Sequence, residues 1–415
     1  MKMKVGALLG LIVLLGLGLV SCGHYTCGAT FGGGSSCTPS GGGIGSGGNG
    51  TGATDFAFFV SQTATMGGIA LVPNKGLEAI PNFNAPALPA IYTVAAMAVV
   101  QNKFLYAAIA ENQNLYAWSI DAAGNLTAIA PPYHFSATLP LAAQPLNSMT
   151  TNPAGTLLFI ADPVGSQIEI FSIDPSTGAL TALPAVSTAG VIQPWNLATD
   201  GLGNFLYVTQ GLVVGSSGQG TGEGTVMAVY TINSSTGALT NGFPMSGTHF
   251  NMWQVASEPT GNFMIGSDGE TGVTSTGKLD NNIYVFSIDQ STGLLTNIAT
   301  ALTTFGSIRV IVHPSGQFVY AFSIDPGLGL DAKLDGFTLT TTTNPTTATL
   351  TKMAPFNTTT VPYDGYFDQT GNNLFVHSSG NIGVFSVDSF GNLTEPFGTF
   401  SAVGDKAWVA TSAHP

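Results

Sequence analysis

From residue 55 onward the chain alternates short, almost continuously apolar runs with short polar clusters. Leu157–Ile160, Ile168–Ile173 and Ile283–Ile288 are such runs. A run of this kind, bounded by turn residues, predicts a strand buried on both faces. The polar clusters come in two recurring forms. One reads Asp174-Pro-Ser-Thr-Gly178-Ala-Leu180-Thr181 and returns at Asn233–Thr240 and Asp289–Thr296, with shorter versions at Asp121–Thr127 and Asp388–Thr394. The other reads Asn152-Pro-Ala-Gly155 and returns at Asp200–Gly203, Glu258–Gly261, His313–Gly316 and Asp368–Gly371. In most copies of both forms a polar acceptor opens the turn, and a glycine supplies the positive φ that closes it. Each cluster is therefore predicted to be a tight hairpin.

The glycines of the second form are 48, 58, 55 and 55 residues apart. A period of that size with four short strands predicts a β-propeller blade. Inner strands are expected to start near Thr93, Asn147, Trp195, Trp253, Ile308, Tyr363 and Trp408, which makes seven blades. The run from Trp408 has no later strands to pair with, and the runs Phe56–Val60, Ile69–Val72 and Leu77–Ile80 lack an inner strand. Joining the two ends completes the seventh blade and leaves no open sheet edge. The expectation is an all-β, seven-bladed propeller over residues 55–415. Its four-stranded antiparallel blades are closed by the N-terminal strands pairing with the C-terminal inner strand.

The segment before residue 55 follows another pattern. Lys2 and Lys4 precede an apolar run from Val5 to Val20, the layout of a secretory signal. The run is shorter than the roughly 20 residues of a membrane span. It ends in Leu19-Val20-Ser21-Cys22, which resembles a bacterial lipoprotein lipobox. The resemblance implies a signal peptide over residues 1–21, lipidation of Cys22, and anchoring on a membrane surface of the cell envelope by several acyl chains. Residues 22–54 read as the lipidated cysteine plus a tether. Thirteen of the 32 residues from 23 to 54 are glycine, and such a coil reaches roughly 30 Å. Cys27 and Cys37 lie in it and can pair in an oxidising compartment.

Composition narrows the function. Nine lysines and arginines against 22 acids give a net charge of −13, with a single arginine, Arg309. That excludes a basic nucleic-acid footprint. A chain 44% hydrophobic and only 7% charged is neither disordered nor a long helical rod. Sheets packed on both faces have little room for charge, so the fold accounts for much of this. A closed ring of this kind is expected to be a monomer.

The Phe-Ser-Ile-Asp-x-x-Thr-Gly-x-Leu-Thr hairpin and the unit His313-Pro-Ser-Gly316-Gln-Phe-Val-Tyr320 resemble the lactonase family of seven-bladed propellers, over essentially all of residues 55–415. That family includes 6-phosphogluconolactonases and a carboxymuconate cycloisomerase. The resemblance implies lactone hydrolysis by an Arg-His pair entering an inner strand and a Glu just past the second strand. Here the aligned positions hold Trp195-Asn196, Trp253-Gln254 and Ile308-Arg309, and no blade carries the pair. The candidates left for this chemistry are His249 or Glu270 as base and Arg309 for the developing oxyanion.

Both hairpin forms fall on one face of the disc, the turn face. The opposite face, the loop face, receives the loops Gln210–Thr225, Ser267–Asn282 and Ile324–Leu334, which carry Glu223, Asp268, Glu270, Asp280, Asp325 and Asp331. Aligned on the turn glycines, the inner strands set Trp195, Trp253, Tyr363 and Trp408 in one row and Asn196, Gln254, Arg309 and Asp364 in the next. An aromatic row beside a polar row under long loops is a candidate ligand site for a glycan, peptide or protein partner. The alternatives are that the tryptophans wedge between blades and that Arg309 pairs structurally with Asp364. No cofactor or metal site is expected; calcium on Asp268, Glu270 and Asp280 is a minor option.

Overall fold

The computed structural model describes residues 53–413, apart from short inter-strand stretches and the longer segments 135–148, 211–226, 246–251, 268–280, 325–331 and 402–408. The signal peptide, the lipobox and almost all of the tether lie outside the described residues.

The strands form seven antiparallel sheets of four strands each, two of which add a short extra outer strand. The inner strands are Val94–Val100 in blade one, Met149–Thr151 in two, Pro194–Thr199 in three, Gln254–Ser257 in four, Gly306–Val312 in five, Pro362–Phe367 in six and Val409–Ala413 in seven. Blade seven closes as expected: Asp55–Phe59 pairs with Val409–Ala413, Asp55 opposite Ala413. Among the described residues no helix is present. One boundary differs from the sequence reading. The third strand of blade five begins at Ala332, so Ala332–Leu334 are strand opposite Phe322–Ile324 and not loop.

The apolar runs do what their pattern requires. Seven hydrophobic clusters fill the seven blade interfaces, including Phe56 and Phe58 of blade seven against Leu105 and Trp118 of blade one. Ala57 and Phe59 on the other face pack on Phe375 and Val384 of blade six. At about 25 cal/mol per Å2 of apolar surface, these interfaces hold the ring together. Buried tyrosines add directional contacts at several interfaces. The hydroxyls of Tyr106, Tyr207 and Tyr320 donate to the carbonyls of Gly178, Gly293 and Gly391 in the next blade, at 2.8, 2.8 and 2.7 Å.

The hairpin reading holds at the atomic level. Gly178 has φ of 71° and Gly155 of 64°, and the Asp174 carboxylate accepts the Ser176 and Thr177 amides at 2.9 Å each. Blade one is the exception. Its first turn, closed by the Lys103 amide donating to the Val100 carbonyl at 3.0 Å, sets Gln101 and Asn102 at φ of 52° and 56° without either being glycine.

Candidate functional site

Each inner strand is an edge strand, so alternate backbone groups point away from its sheet toward the neighbouring inner strand. The polar row satisfies them. Asn196 Oδ1 of blade three accepts the Val255 amide of blade four at 3.1 Å. Gln254 Oε1 of blade four accepts the Val310 amide of blade five at 2.8 Å. In blade six the equivalent amide, Gly365, donates to Asp364 Oδ1 at 2.6 Å, and Arg309 of blade five forms an ion pair with that same oxygen. The row is thus a chain of side-chain stitches running from blade three to blade six. The ladder register shifts beside it, between Pro194 and Leu197, Ser307 and Arg309, and Pro362 and Asp364. Bulges of this kind re-aim side chains near functional sites.

The Arg309–Asp364 pair carries the site's charge. Its side chains are 23% and 13% exposed. The guanidinium carbon sits 4.8 Å from the centre of the Tyr366 ring, and the Tyr366 hydroxyl donates to Asp364 Oδ2 at 3.1 Å. Burial works against the charge of Arg309, but Asp364 and Tyr366 more than offset it, and its pKa lies above the ordinary value. Burial pushes the Asp364 carboxyl up, while Arg309 and the Gly365 amide pull it part of the way back. Burial likewise raises the Tyr366 phenol.

Two residues here escaped the sequence reading. Tyr366 is one. The other is His377, buried at the end of the second strand of blade six, directly across the ladder from Asp364. A signal for it exists in the repeat. Second strands end in a buried polar residue in blade after blade: Asp162, Thr209, Ser267, Ser323 and His377. Thr209 shows the use of this layer, its hydroxyl accepting the Asn196 amide at 3.2 Å.

Among the expected site residues, Trp195 and Asn196 are half-buried on the inner strand of blade three, and Gln254 is half-buried on that of blade four. Tyr363 lies in the inner strand of blade six, but its side chain is not among those described. Trp253, Trp408, His249 and Glu270 lie outside the described residues, as do Glu223, Asp268, Asp280, Asp325 and Asp331. Among the described residues no group of three metal-ligating side chains occurs. His313 is a turn residue, its ring bonded to Ser315 Oγ at 2.8 Å and to the Gly371 carbonyl at 2.9 Å.

No protein-family model matches this chain, and no curated protein matches it. Solved structures do. A candidate 6-phosphogluconolactonase from Bacteroides uniformis is 15% identical, with a TM-score of 0.62 over 86% of this chain and 99% of that one. A protein from Lactobacillus plantarum is 18% identical, with a TM-score of 0.60 over 87% of this chain and 99% of that one. The periplasmic gluconolactonase of Pseudomonas aeruginosa is 13% identical, with a TM-score of 0.58 over 87% of this chain and all of that one. Identities this low speak for the fold alone: the chain has the seven-bladed propeller fold of these lactonase-like structures.

Proposed function

We propose that this chain is a lipid-anchored envelope propeller that holds a glycan, peptide or protein partner at its loop-face mouth. One observation carries the reading. The polar row, where lactone chemistry would need free groups, is committed to stitching blades together, and the arginine in it is paired with Asp364. Oxyanion stabilisation needs a positive group aimed at developing charge, and a guanidinium already held by a carboxylate serves that poorly. Aromatic side chains of the neighbouring row, Trp195 among them, offer a stacking surface instead.

The anchoring half rests on the Cys22 lipobox and is supported by chain placement. The chain enters the closing blade at the turn face, where the Thr54 amide donates to the Leu71 carbonyl at 2.9 Å. The periplasmic location named for the Pseudomonas aeruginosa structure is consistent with an envelope protein. Labelled palmitate should enter the wild-type protein and not Cys22→Ala. Binding on a glycan array or in a pull-down should disappear in Trp195→Ala/Trp253→Ala; unchanged binding would refute the mouth assignment.

A diverged lactonase is the second reading, favoured by the juxtaposition of Arg309, Tyr366 and buried His377 at one mouth. It expects turnover of some member of a sugar-lactone panel, lost in Arg309→Ala or His249→Ala variants that remain folded. A protein inert on the whole panel excludes it.

A further inference from the structure

At the other end of the channel, on the turn face, a cavity of about 500 Å3 opens between the ends of the inner strands. Thr151, Thr199 and Ser257 occupy one aligned position there, the last residue of the inner strand in blades two, three and four. Gln101 and Gln369 bring amides to the rim from blades one and six.

The chemistry of this wall selects a ligand class. Among the described residues no lysine, arginine or histidine lines it, so these offer no handle for a phosphate or carboxylate. Its one carboxylate, Asp200, is fully buried and already engaged, one oxygen accepting the Phe205 amide at 2.7 Å and the other the Leu202 amide at 3.2 Å. Burial also pushes its pKa up, so it offers little to a cation. What remains is hydroxyls and primary amides interleaved with valine and proline surface; Thr199 Oγ1 donates to the Thr151 carbonyl at 2.9 Å and Ser257 Oγ to the Glu258 carbonyl at 3.0 Å, which leaves their oxygens to accept from a ligand's hydroxyls. That mixture matches a sugar, which has hydroxyl edges and apolar C–H faces. The volume falls within the range of small-molecule pockets, roughly 300–1,000 Å3.

The rim is also built at a cost. Gln101 and Asn102 both sit in the left-handed region, which disfavours a residue such as Gln101 by about 1–2 kcal/mol and asparagine by less. The conformation is held from outside. Gln101 Nε2 donates to the Ala154 carbonyl of blade two at 3.0 Å, and the Asn102 amide bonds Gln369 of blade six. The second of these bonds crosses blade seven, whose inner strand Val409–Ala413 and neighbour Asp55–Phe59 are not joined by a turn. Strain over-determined in this way is characteristic of ligand clamps.

From this geometry we propose that the turn-face mouth binds a small uncharged polyhydroxylated ligand of mono- or disaccharide size. The site is separate from the loop-face mouth and does not depend on it. The test is calorimetric titration of the full chain with glucose, galactose, maltose and cellobiose, and with glucose 6-phosphate and gluconate as charged counterparts. At least one neutral sugar should bind, its charged counterpart should bind far more weakly, and Ser257→Ala and Gln369→Ala should each weaken binding by roughly tenfold, the loss expected for a hydrogen bond. Gln369→Trp, on an exposed rim position, should block it. Leu302→Ser, at an exposed outer-strand position of blade four, should leave it unchanged. A thermal melt on each variant separates lost binding from lost folding. Failure of every neutral sugar to bind at millimolar concentration overturns the proposal, as does equal binding of the charged sugars. Neutral-sugar binding that persists in folded Ser257→Ala, Gln369→Ala and Gln369→Trp also overturns it.

Discussion

Replacing Asp55 with asparagine should make the ring more stable at neutral pH. Asp55 opens the first strand of the closing blade and is 3% exposed. It faces Asp368 of blade six, 2% exposed, and Asn373 Nδ2 lies between them, 3.3 Å from Asp55 Oδ2 and 2.8 Å from Asp368 Oδ2. Burial first, and then the charge of Asp368, raise the Asp55 carboxyl from 3.8 to about 6. The folded protein therefore holds a proton that the unfolded chain has released over that interval. The resulting stabilisation is complete below the unfolded value and is lost as pH rises through the folded one. A shift of roughly two units corresponds to about 3 kcal/mol. Asparagine keeps the shape and the hydrogen-bonding capacity of the protonated acid but cannot ionise. Asp55→Asn should thus gain up to about 3 kcal/mol at pH 7.5 and little at pH 4, and its stability should vary less across the interval between. Denaturant titrations of both proteins from pH 4 to 8 measure this directly. Parallel pH profiles, or a variant less stable than wild type at pH 7.5, would refute the reasoning.

Other seams are open to the same treatment. Gln254→Ala strips the acceptor from the buried Val310 amide and should cost about 1–3 kcal/mol in chemical denaturation. Tyr207→Phe leaves the Gly293 carbonyl without its hydroxyl donor and should cost about 1 kcal/mol; no loss would mean that the tyrosine staples add nothing beyond packing. Gly391→Ala meets both a φ of 80° and a Phe318 ring carbon 2.4 Å from the new methyl, whereas Gly306→Ala meets nothing within 4 Å. The first should be the more damaging by a clear margin in melting temperature. Arg309→Met strands the Asp364 carboxylate and should cost about 3–5 kcal/mol, while Arg309→Met/Asp364→Asn, which removes the charge but keeps an acceptor for the Gly365 amide, should recover most of it; a double mutant no better than the single would show that the pair is not coupled.

The blade count and the ring closure were legible because each rests on a repeated local rule. The expected inner-strand starts at Trp195 and Tyr363 lie one residue from the observed Pro194 and Pro362. Turn glycines such as Gly203 and Gly371 have the positive φ their pattern demands. The polar row was legible as a row, since alignment alone brings Asn196, Gln254, Arg309 and Asp364 together. Its use was not legible, because Asn196 and Gln254 accept from backbone amides of the next blade, and a backbone amide has no signature in sequence. His377 was missed for a related reason. It faces Asp364 only through the pairing register of two strands, and the bulge between Pro362 and Asp364 shifts that register by one residue. The Gln101–Asn102 turn was missed because neither residue is glycine, although the hairpin demands two left-handed positions.

The double duty of the polar row limits how catalysis could arise in this chain. Freeing Arg309 for an anion requires removing Asp364. That removal also deprives the Gly365 amide of its acceptor and leaves a guanidinium, 23% exposed, without its counter-charge. An uncompensated charge at such a site is strongly destabilising. The same holds one blade earlier, where turning Gln254 toward a substrate would expose the Val310 amide. A catalytic group at these positions thus needs a second acceptor for the edge strand. In blade three the layer at the ends of the second strands serves a different amide, Thr209 accepting from Asn196, the counterpart of Asp364 and not of Gly365. Asp364→Asn, which keeps an oxygen acceptor for the Gly365 amide, is therefore expected to lose less stability in chemical denaturation than Asp364→Ala; equal losses would show that the amide's acceptor does not matter.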